Sequence, residues 1–460
     1  MAEKGLGGRV NRASRLARIG MTGASGFARS RARRMLGGGE DDQLAAHELS
    51  AERIAAILGE MKGAAMKVGQ LLSLVDMDLP PEVRSTYHDA LAMLRDAAPP
   101  IDTDAIVGVI ERSLGQPVDQ AFAEFDEEPL AAASIGQVHA ATTHDGRSVV
   151  VKVQYPGVAE AVRDDLSNAE MFAPLARVFS PNQELEPLLD ELRERIDDEL
   201  DYLREAQYQR AFATRYEGHP FITVPGVVAD LSTDKVLVSE RIHGRRFDDV
   251  VAEGDDELHQ RVGEIIFRYA FGSIGRFRLF NGDPHPGNYL VTGDGVAFLD
   301  YGSVKMFTRK RHRSMRRIET AAVEGDRTAF LRAMRETGFL PEDPRISDDD
   351  VWDWFRLYMH PVLADQPFTF TRDFAAELLA ATSDPRSPYY AMLRRLNMPA
   401  DYLLLTRIHL GLNSVLGRLG ASADWASIRA EYTDEGEPRT ELGKLDAAWW
   451  AERREHLPVG

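Results

Sequence analysis

Three oxygen-bearing side chains set the chemistry open to this chain: Asp283 and Asn288 in NGDPHPGNYLV, and Asp300 in VAFLDYG. An Asp, an Asn five residues on and a second Asp opening an Asp-aromatic-Gly turn is the spacing with which phosphoryl-transfer enzymes supply a base and Mg2+ ligands. Asp283 would sit by the attacking hydroxyl. Asn288 and Asp300 would offer oxygens to hard cations that also bind nucleotide phosphates. Gly, Pro, Asn and Asp are also the usual turn formers, so GDPHPGN alone reads as a turn. Turn chemistry leaves unexplained the strand-like VAFL that runs straight into a second acidic turn. His285, between two prolines, reads as a structural hydrogen-bonding side chain, because Asp283 already fills the role of base.

Phosphoryl transfer also needs a cation on the phosphates, and SVVVKVQYPGV offers one. Val149, Val150, Val151 and Val153 predict a buried strand in which Lys152 is the only charge. A lone ammonium in apolar surroundings is costly unless paired. The partner is expected on the helix predicted over 184–212, where Leu188, Leu189, Leu192, Ile196, Leu200 and Leu203 recur at three- and four-residue steps. Asp198, Asp201 and Glu205 share one face of that helix at i, i+3 and i+7, and Glu199 points elsewhere. One helix could thus aim Glu205 at Lys152 and offer Glu199 to a different basic group, and the same acids could equally line a solvated face. Upstream, EPLAAASIGQVHAATTHDGRSVVVKV reads as strand, tight loop, strand, a hairpin turn at Asp145-Gly146, then the Lys152 strand. The loop is Ala131, Ala132, Ala133 and Ser134. Alanine lacks glycine's freedom at positive φ, so a phosphate cover built from it would be stiff.

These motifs, in this order, resemble the UbiB/AarF family of atypical, protein-kinase-like proteins. AAASIGQVH, VVKVQYPGV, ELDYLREA, GDPHPGN and LDYG carry the resemblance from about residue 45 to 310, joined by MKVGQLLSLVDMDLPPEV, which matches the family's lysine-x-glycine-glutamine extension through Lys67, Gly69 and Gln70. The resemblance implies an α+β, bilobal protein-kinase-like fold with a small β-rich N-lobe, a helical C-lobe and an N-terminal helical extension. It implies ATP and Mg2+ as cofactors, with Lys152 on the nucleotide phosphates, Glu205 as its salt-bridge partner, Asp283 in the catalytic loop, and Asn288 and Asp300 on metal. Glu199 and Asp201 match an acid-x-acid motif that in relatives meets the extension's lysine, here Lys67. In family members the extension lies where a protein kinase would admit a peptide. Asp300-Tyr301-Gly302 has Tyr where many kinases have Phe, and either ring can pack at such a turn. TDKVLVSERIHGRRFDDV reads as a strand leaving into a turn and a helix, so in a kinase fold Glu240 to Ile242 are candidate backbone contacts to the nucleotide.

From the residues, Ala64, Ala65, Val68, Leu71 and Leu72 form a helical apolar stripe from which Lys67 and Gln70 project together, ending at Leu79-Pro80-Pro81. The expected organisation is a basic arm over 1–40, the extension over 41–120, the N-lobe over 121–245, the C-lobe over 246–440 and a tail over 441–460. A chain of 460 residues, 44% hydrophobic, can bury a large core. It has no cysteine, which excludes disulfides and thiol-metal sites and suits a reducing compartment. No stretch approaches the roughly 18 apolar residues of a membrane span, and there is no apolar secretory segment. A cytoplasmic protein is expected. Residues 1 to 38 hold one Lys, eight Arg and one Glu in a chain of net charge −18. Such an arm, with Arg interleaved with apolar residues, reads either as a solvated tail or as a contact for anionic lipid headgroups that gives a peripheral membrane position. An acidic body does not suit nucleic acid. Beyond residue 305 the pattern is helical, with RKRHRSMRR and RIHLGLNSVLGRLG read as packing faces and Trp449-Trp450 as core or interface.

The leading functional reading is an ATP-dependent enzyme, kinase or ATPase, acting on or coupled to a small or lipid-linked substrate, which the resemblance places near isoprenoid quinone pathways. The alternatives are a protein kinase acting in trans, against which the alanine loop and covering extension argue, and a nucleotide-binding scaffold without turnover.

Overall fold

The computed structural model describes residues 103–133, 135–160, 200–293, 295–384, 386–397, 400–433 and 436–455. The extension residues Lys67 and Gln70, the acid Glu199, the loop residue Ser134 and the basic arm lie outside them. Contacts divide the chain into two compact units, one formed by the described residues up to Leu203 with Ala229–Val238, the other by Arg204–Val228 with the chain from Ser239 on.

In chain order the elements that matter are α1 (Thr103–Leu114), β1 (Glu124–Ala132), β2 (Gly136–Thr142), β3 (Ser148–Gln154), α2 (Tyr202–Arg215), β4 (Ile222–Thr223), β5 (Val236–Glu240) and β6 (Arg245–Arg246). They continue with α3 (Phe247–Glu253), α4 (Asp256–Phe277), β7 (Leu279–Asn281), β8 (Tyr289–Thr292), β9 (Gly295–Phe298), β10 (Val304–Met306) and α5 (Arg309–Val323). The helices α6 (Arg327–Glu336), α7 (Asp348–Tyr358), α8 (Arg372–Ser383), α9 (Ala400–Leu419), α10 (Trp425–Thr433) and α11 (Glu441–Arg453) complete the set.

The first unit is built on a sheet of order β1-β2-β3-β5. Alternation in β3 buries Val149, Val151 and Val153 on one face, as β-branched residues in a half-buried strand should. Ile106 and Ile110, one turn apart on α1, are fully buried, and α1 packs against β3. The hairpin turns where expected, with Gly146 at φ 84 and its amide bonded to the Thr143 carbonyl at 2.9 Å. The alanine loop is shorter than the sequence suggested. Ala131 and Ala132 belong to β1, paired with Val138 and Gln137, and the chain turns only where the Ala133 amide bonds the Gly136 carbonyl at 2.8 Å.

The second unit is organised around α4. Its N-terminus is capped by the Asp255 carboxylate, which accepts the Leu258 amide at 3.2 Å, and it buries Val262, Ile265, Ile266, Phe267 and Tyr269. The helix stops at Arg278, a non-glycine residue at φ 56, an uncommon left-handed turn that throws the chain into β7 and on to Asp283. A sheet of order β4-β9-β8-β6 and a ribbon of β7 with β10 flank the segment between. Arg204–Val228 packs with this unit because Phe212, Tyr216 and Phe221 are part of its core, although the chain passes residue 204 long before the expected boundary at 245.

Two further expectations are corrected. The helix carrying Glu205 starts at Tyr202, and Asp201 stands before it, so Asp201 and Glu205 do not share a helical face. The backbone there is drawn to other partners: Gln154 Nε2 donates to the Leu200 carbonyl at 2.8 Å and the Tyr202 amide to the Asp234 carbonyl at 3.1 Å. Asp201 instead accepts the Leu203 amide at 3.0 Å, as a residue ahead of a helix does. On α5 the packing residues are Met315, Ile318, Ala321 and Ala322, while Arg309, Lys310, Arg313 and Arg317 are exposed. The basic stripe is therefore a solvent face. Trp449 is buried in the core, as anticipated.

Candidate active site

The loop after β7 is held by its own polar groups. The Asn288 amide nitrogen donates to the Asp283 carbonyl and to its carboxylate Oδ2, both at 3.2 Å, which leaves the Asn288 amide oxygen as the atom a cation would take. His285 Nδ1 accepts the Gly287 amide at 3.1 Å and so caps the single turn 286–288, the structural part that its sequence setting suggested. The Leu299 amide bonds the Asn288 carbonyl at 3.0 Å, tying the loop to the chain just before Asp300.

One residue that sequence reasoning missed joins the two acidic segments. Asn281 accepts the Asp283 amide on Oδ1 at 3.2 Å and donates from Nδ2 to the Asp300 carbonyl at 2.5 Å. Its place directly before the loop was visible, but the partner lies 19 residues away. Asp300 Oδ1 accepts the Gly302 amide at 2.9 Å, and the Glu205 carboxylate flanks the same glycine. A methyl group added at Gly302 would stand 3.4 Å from Asp300 Oδ1 and 3.7 Å from Glu205 Oε2. Glu205, only 4% exposed, thus shares the neighbourhood of Asp300. Tyr301 is fully buried against Phe212, ring centroids 5.0 Å apart, and its hydroxyl donates to the Phe298 carbonyl at 3.1 Å. Burial holds the phenols of Tyr269, Tyr289 and Tyr301 above their usual range, so all three stay neutral. Behind Asp283 a cavity of about 20 Å3, lined by Tyr269, Ser273, Phe280, Asn281, Pro284 and Leu412 among others, has room for about one water.

The donor set is oxygen only: the carboxylates of Asp283 and Asp300 and the amide oxygen of Asn288. That suits Mg2+, which takes one or two carboxylates and completes its shell with phosphate oxygens and water. Among the described residues no group of three or more His, Cys, Asp or Glu is placed to hold a metal ion.

In the first unit Lys152 is half-buried on β3, opposite Val138 of β2, with its ammonium 5.1 Å from the centre of the Tyr202 ring. Gly136, in the SIGQ run, approaches β3 so closely that a Cβ there would lie 2.0 Å from the Val153 carbonyl oxygen. The glycine of this region serves strand packing, which the focus on loop alanines missed. At the end of β5 the Glu240 amide donates to the Gly226 carbonyl at 2.7 Å, and its carboxylate accepts the Gly226 amide at 3.3 Å. The Glu240 amide is therefore already committed, and Ile242 follows, half-buried, beyond the strand.

An acid-amide-acid loop beside a buried glutamate, in a chain with a small antiparallel sheet and a large helical unit, defines a kinase-like protein. Residues 93–334 match the model of the ABC1 atypical kinase-like domain. The chain belongs to this family, the UbiB/AarF group of atypical kinases, and has its kinase-like α+β fold. It is 35% identical over 311 residues to a probable protein kinase UbiB of Azotobacter vinelandii, covering 65% of this chain and 56% of that one. It is 31% identical over 300 residues to the mitochondrial atypical kinase coq-8 of Caenorhabditis elegans, covering 64% and 39%. The chain thus spans about half the length, or less, of these curated relatives. A solved Mycobacterium tuberculosis protein, Rv3197 in complex with erythromycin, is 32% identical with a TM-score of 0.62 over 85% of this chain and 98% of that one. No helix among the described residues is long and apolar enough to cross a membrane.

Proposed function

We propose that this chain is a Mg-ATP-dependent phosphotransferase or ATPase acting on, or coupled to, a small or lipid-linked substrate of the isoprenoid quinone kind. The observation that carries the reading is the tie among Asp283, Asn288 and Asp300 through Asn281, with Glu205 beside Asp300. In this reading Asp283 orients or deprotonates the attacking hydroxyl, and Asn288 and Asp300 hold Mg2+. Lys152 neutralises the phosphates, Ala133 marks the turn that covers them, and the backbone near Ile242 meets the base. The relatives' names, UbiB and coq-8 kinases, support the class. Lys67 and Gln70 keep the covering role, and Glu199 and Asp201 the acid-x-acid role, that the resemblance gives them. A peripheral position on an anionic membrane would rest on the basic arm of residues 1–38, with its one Lys and eight Arg.

The test is phosphate release by the purified chain with ATP and Mg2+, with and without anionic vesicles or a peptide pool. Lipid-stimulated release supports the proposal, and labelling of peptides would replace it with a protein kinase. Tight binding without release would make the chain a nucleotide-binding scaffold. Asp300→Asn should abolish the Mg2+-dependent part of nucleotide-induced thermal protection, and an unchanged shift would remove Asp300 from the site. The erythromycin complex of Rv3197 favours a second reading of the substrate, a bulky and largely apolar macrocycle. Erythromycin that alters the rate of phosphate release would support it.

A further inference from the structure

The C-terminal helix α11, which lies beyond the residues matched by the family model, holds the far end of the helix that carries Glu205. A helix leaves its last carbonyls without intrahelical partners. At the end of α2 a side chain of α11 supplies one: Arg453 donates to the Thr214 carbonyl at 2.9 Å, and in the turn just past the helix Trp449 Nε1 donates to the Glu217 carbonyl at 3.1 Å. Arg453 also meets the Glu217 carboxylate at 2.8 Å, and its charge suits the negative end of the helix dipole. The Trp449 indole lies parallel to the Tyr216 ring, 3° between planes and 6.0 Å between centroids, and meets His219 edge-on at 4.4 Å.

Beneath this contact Asp446, 1% exposed, is the anchor of α11. Arg276 donates to both its oxygens at 2.7 and 2.9 Å, Tyr432 donates at 2.6 Å, and His219 Nε2 lies 3.0 Å from it. His219 Nδ1 accepts the Ile222 amide at 3.1 Å, so the proton sits on Nε2 and points at Asp446. From this anchored end α2 runs back through Phe212, packed on Tyr301, to Glu205 beside Asp300 and Gly302. A helix in which each residue bonds the next turn moves as a rod, so its two ends are mechanically joined.

We infer that α11 is a clamp that positions Glu205 against the Asp300 turn, with Trp449 and Asp446 as positioning residues for the metal-side carboxylates. The inference rests on the reading of Asp300 as a Mg2+ ligand, and its test separates the two. Trp449→Ala, Trp449→Phe and Arg453→Gln would be made in the full chain, with Leu378→Ala on α8 as a destabilising control remote from the clamp. Hydrogen exchange of the α2 amides and the Mg2+ midpoint for ATP binding would be measured for each.

Trp449→Ala should speed exchange along α2 by about tenfold or more and raise the Mg2+ midpoint several-fold, leaving metal-free ATP affinity unchanged. Trp449→Phe, which keeps an aromatic ring against Tyr216 but loses the pyrrole half of the indole with its N–H, should restore part of both. Arg453→Gln, at the edge of the contact, should show the same effects in weaker form even if Trp449→Ala does not fold. Leu378→Ala should lower Tm without moving the midpoint. Unchanged α2 exchange in Trp449→Ala or, if that variant does not fold, in Arg453→Gln would overturn the clamp. Faster exchange with an unmoved Mg2+ midpoint would overturn its link to the carboxylates. If the unaltered chain binds ATP without any Mg2+ dependence, the metal reading falls, and with it the inferred purpose of the clamp, while the exchange data still decide whether α11 holds α2.

Discussion

Removing the Asn281 side chain should loosen the candidate site more than its modest size suggests. Asn281→Ala deletes the bond to the Asp283 amide and the bond to the Asp300 carbonyl. Each is worth about 1 kcal/mol net, and a half-buried partner left unsatisfied adds to the loss, so about 2–3 kcal/mol is expected. Asn281→Asp is the sharper test. It keeps an acceptor for the Asp283 amide but turns the donor facing the Asp300 carbonyl into a carboxylate oxygen, adding a negative charge beside Asp283 and Asp300. The loss should equal or exceed that of the alanine variant despite the near-identical shape. With a Tm change of about 2–4 °C per kcal/mol for a unit of 150–250 residues, calorimetry should record a fall of about 4–12 °C. The stabilisation given by Mg2+ with ATP should shrink in parallel, because the two acidic segments no longer share a tie. A Tm within about 2 °C of the unaltered chain, together with an intact Mg-ATP shift, would refute the reasoning.

Gly136→Ala should be among the most damaging small substitutions in the first unit, because its methyl would overlap the Val153 carbonyl, a backbone atom that cannot swing away. A loss of about 1–3 kcal/mol is expected, read by chemical denaturation, and a neutral result would show that β2 and β3 can part locally without cost. Acid should destabilise the chain through its buried histidines. His219 is held below the usual value by burial, and His409, bonded to the Tyr358 carbonyl at 2.7 Å, is pushed down to about 4 by burial. Between about pH 6.5 and 4 the unfolded chain binds protons that the folded chain refuses. Stability is therefore complete above that window and falls as pH drops through it, by up to about 3 kcal/mol for His409. His409→Gln should flatten this slope in denaturation series between pH 7 and 4.5, and an unaltered slope would assign the effect elsewhere.

The local chemistry of the site was legible because its spacing is short. Asp283, His285 and Asn288 act on one another within a few residues, so the order of residue types already implies a turn with an inward amide and a capping histidine. The Asp145-Gly146 hairpin and the alternating valines of β3 were legible for the same reason, since steric rules at one residue and side-chain alternation along a strand need no distant partner. Periodicity misjudged the start of α2. The pattern of leucines continues through Leu200, but the backbone at 200–202 bonds Gln154 and Asp234 instead of extending the helix.

The sequence by itself determined the family, the kinase-like fold class, and which side chains could carry phosphate and metal chemistry, because those follow from residue type and near spacing. Only the tertiary structure decided that Asn281 binds Asp283 to Asp300, that Gly136 lies against the Val153 carbonyl, and that Trp449 and Asp446 bond Glu217 and His219 just past the helix of Glu205. These contacts join residues from 17 to 232 positions apart. At such separations a side chain's partner is chosen by how packed elements meet, and a linear pattern holds no record of that choice.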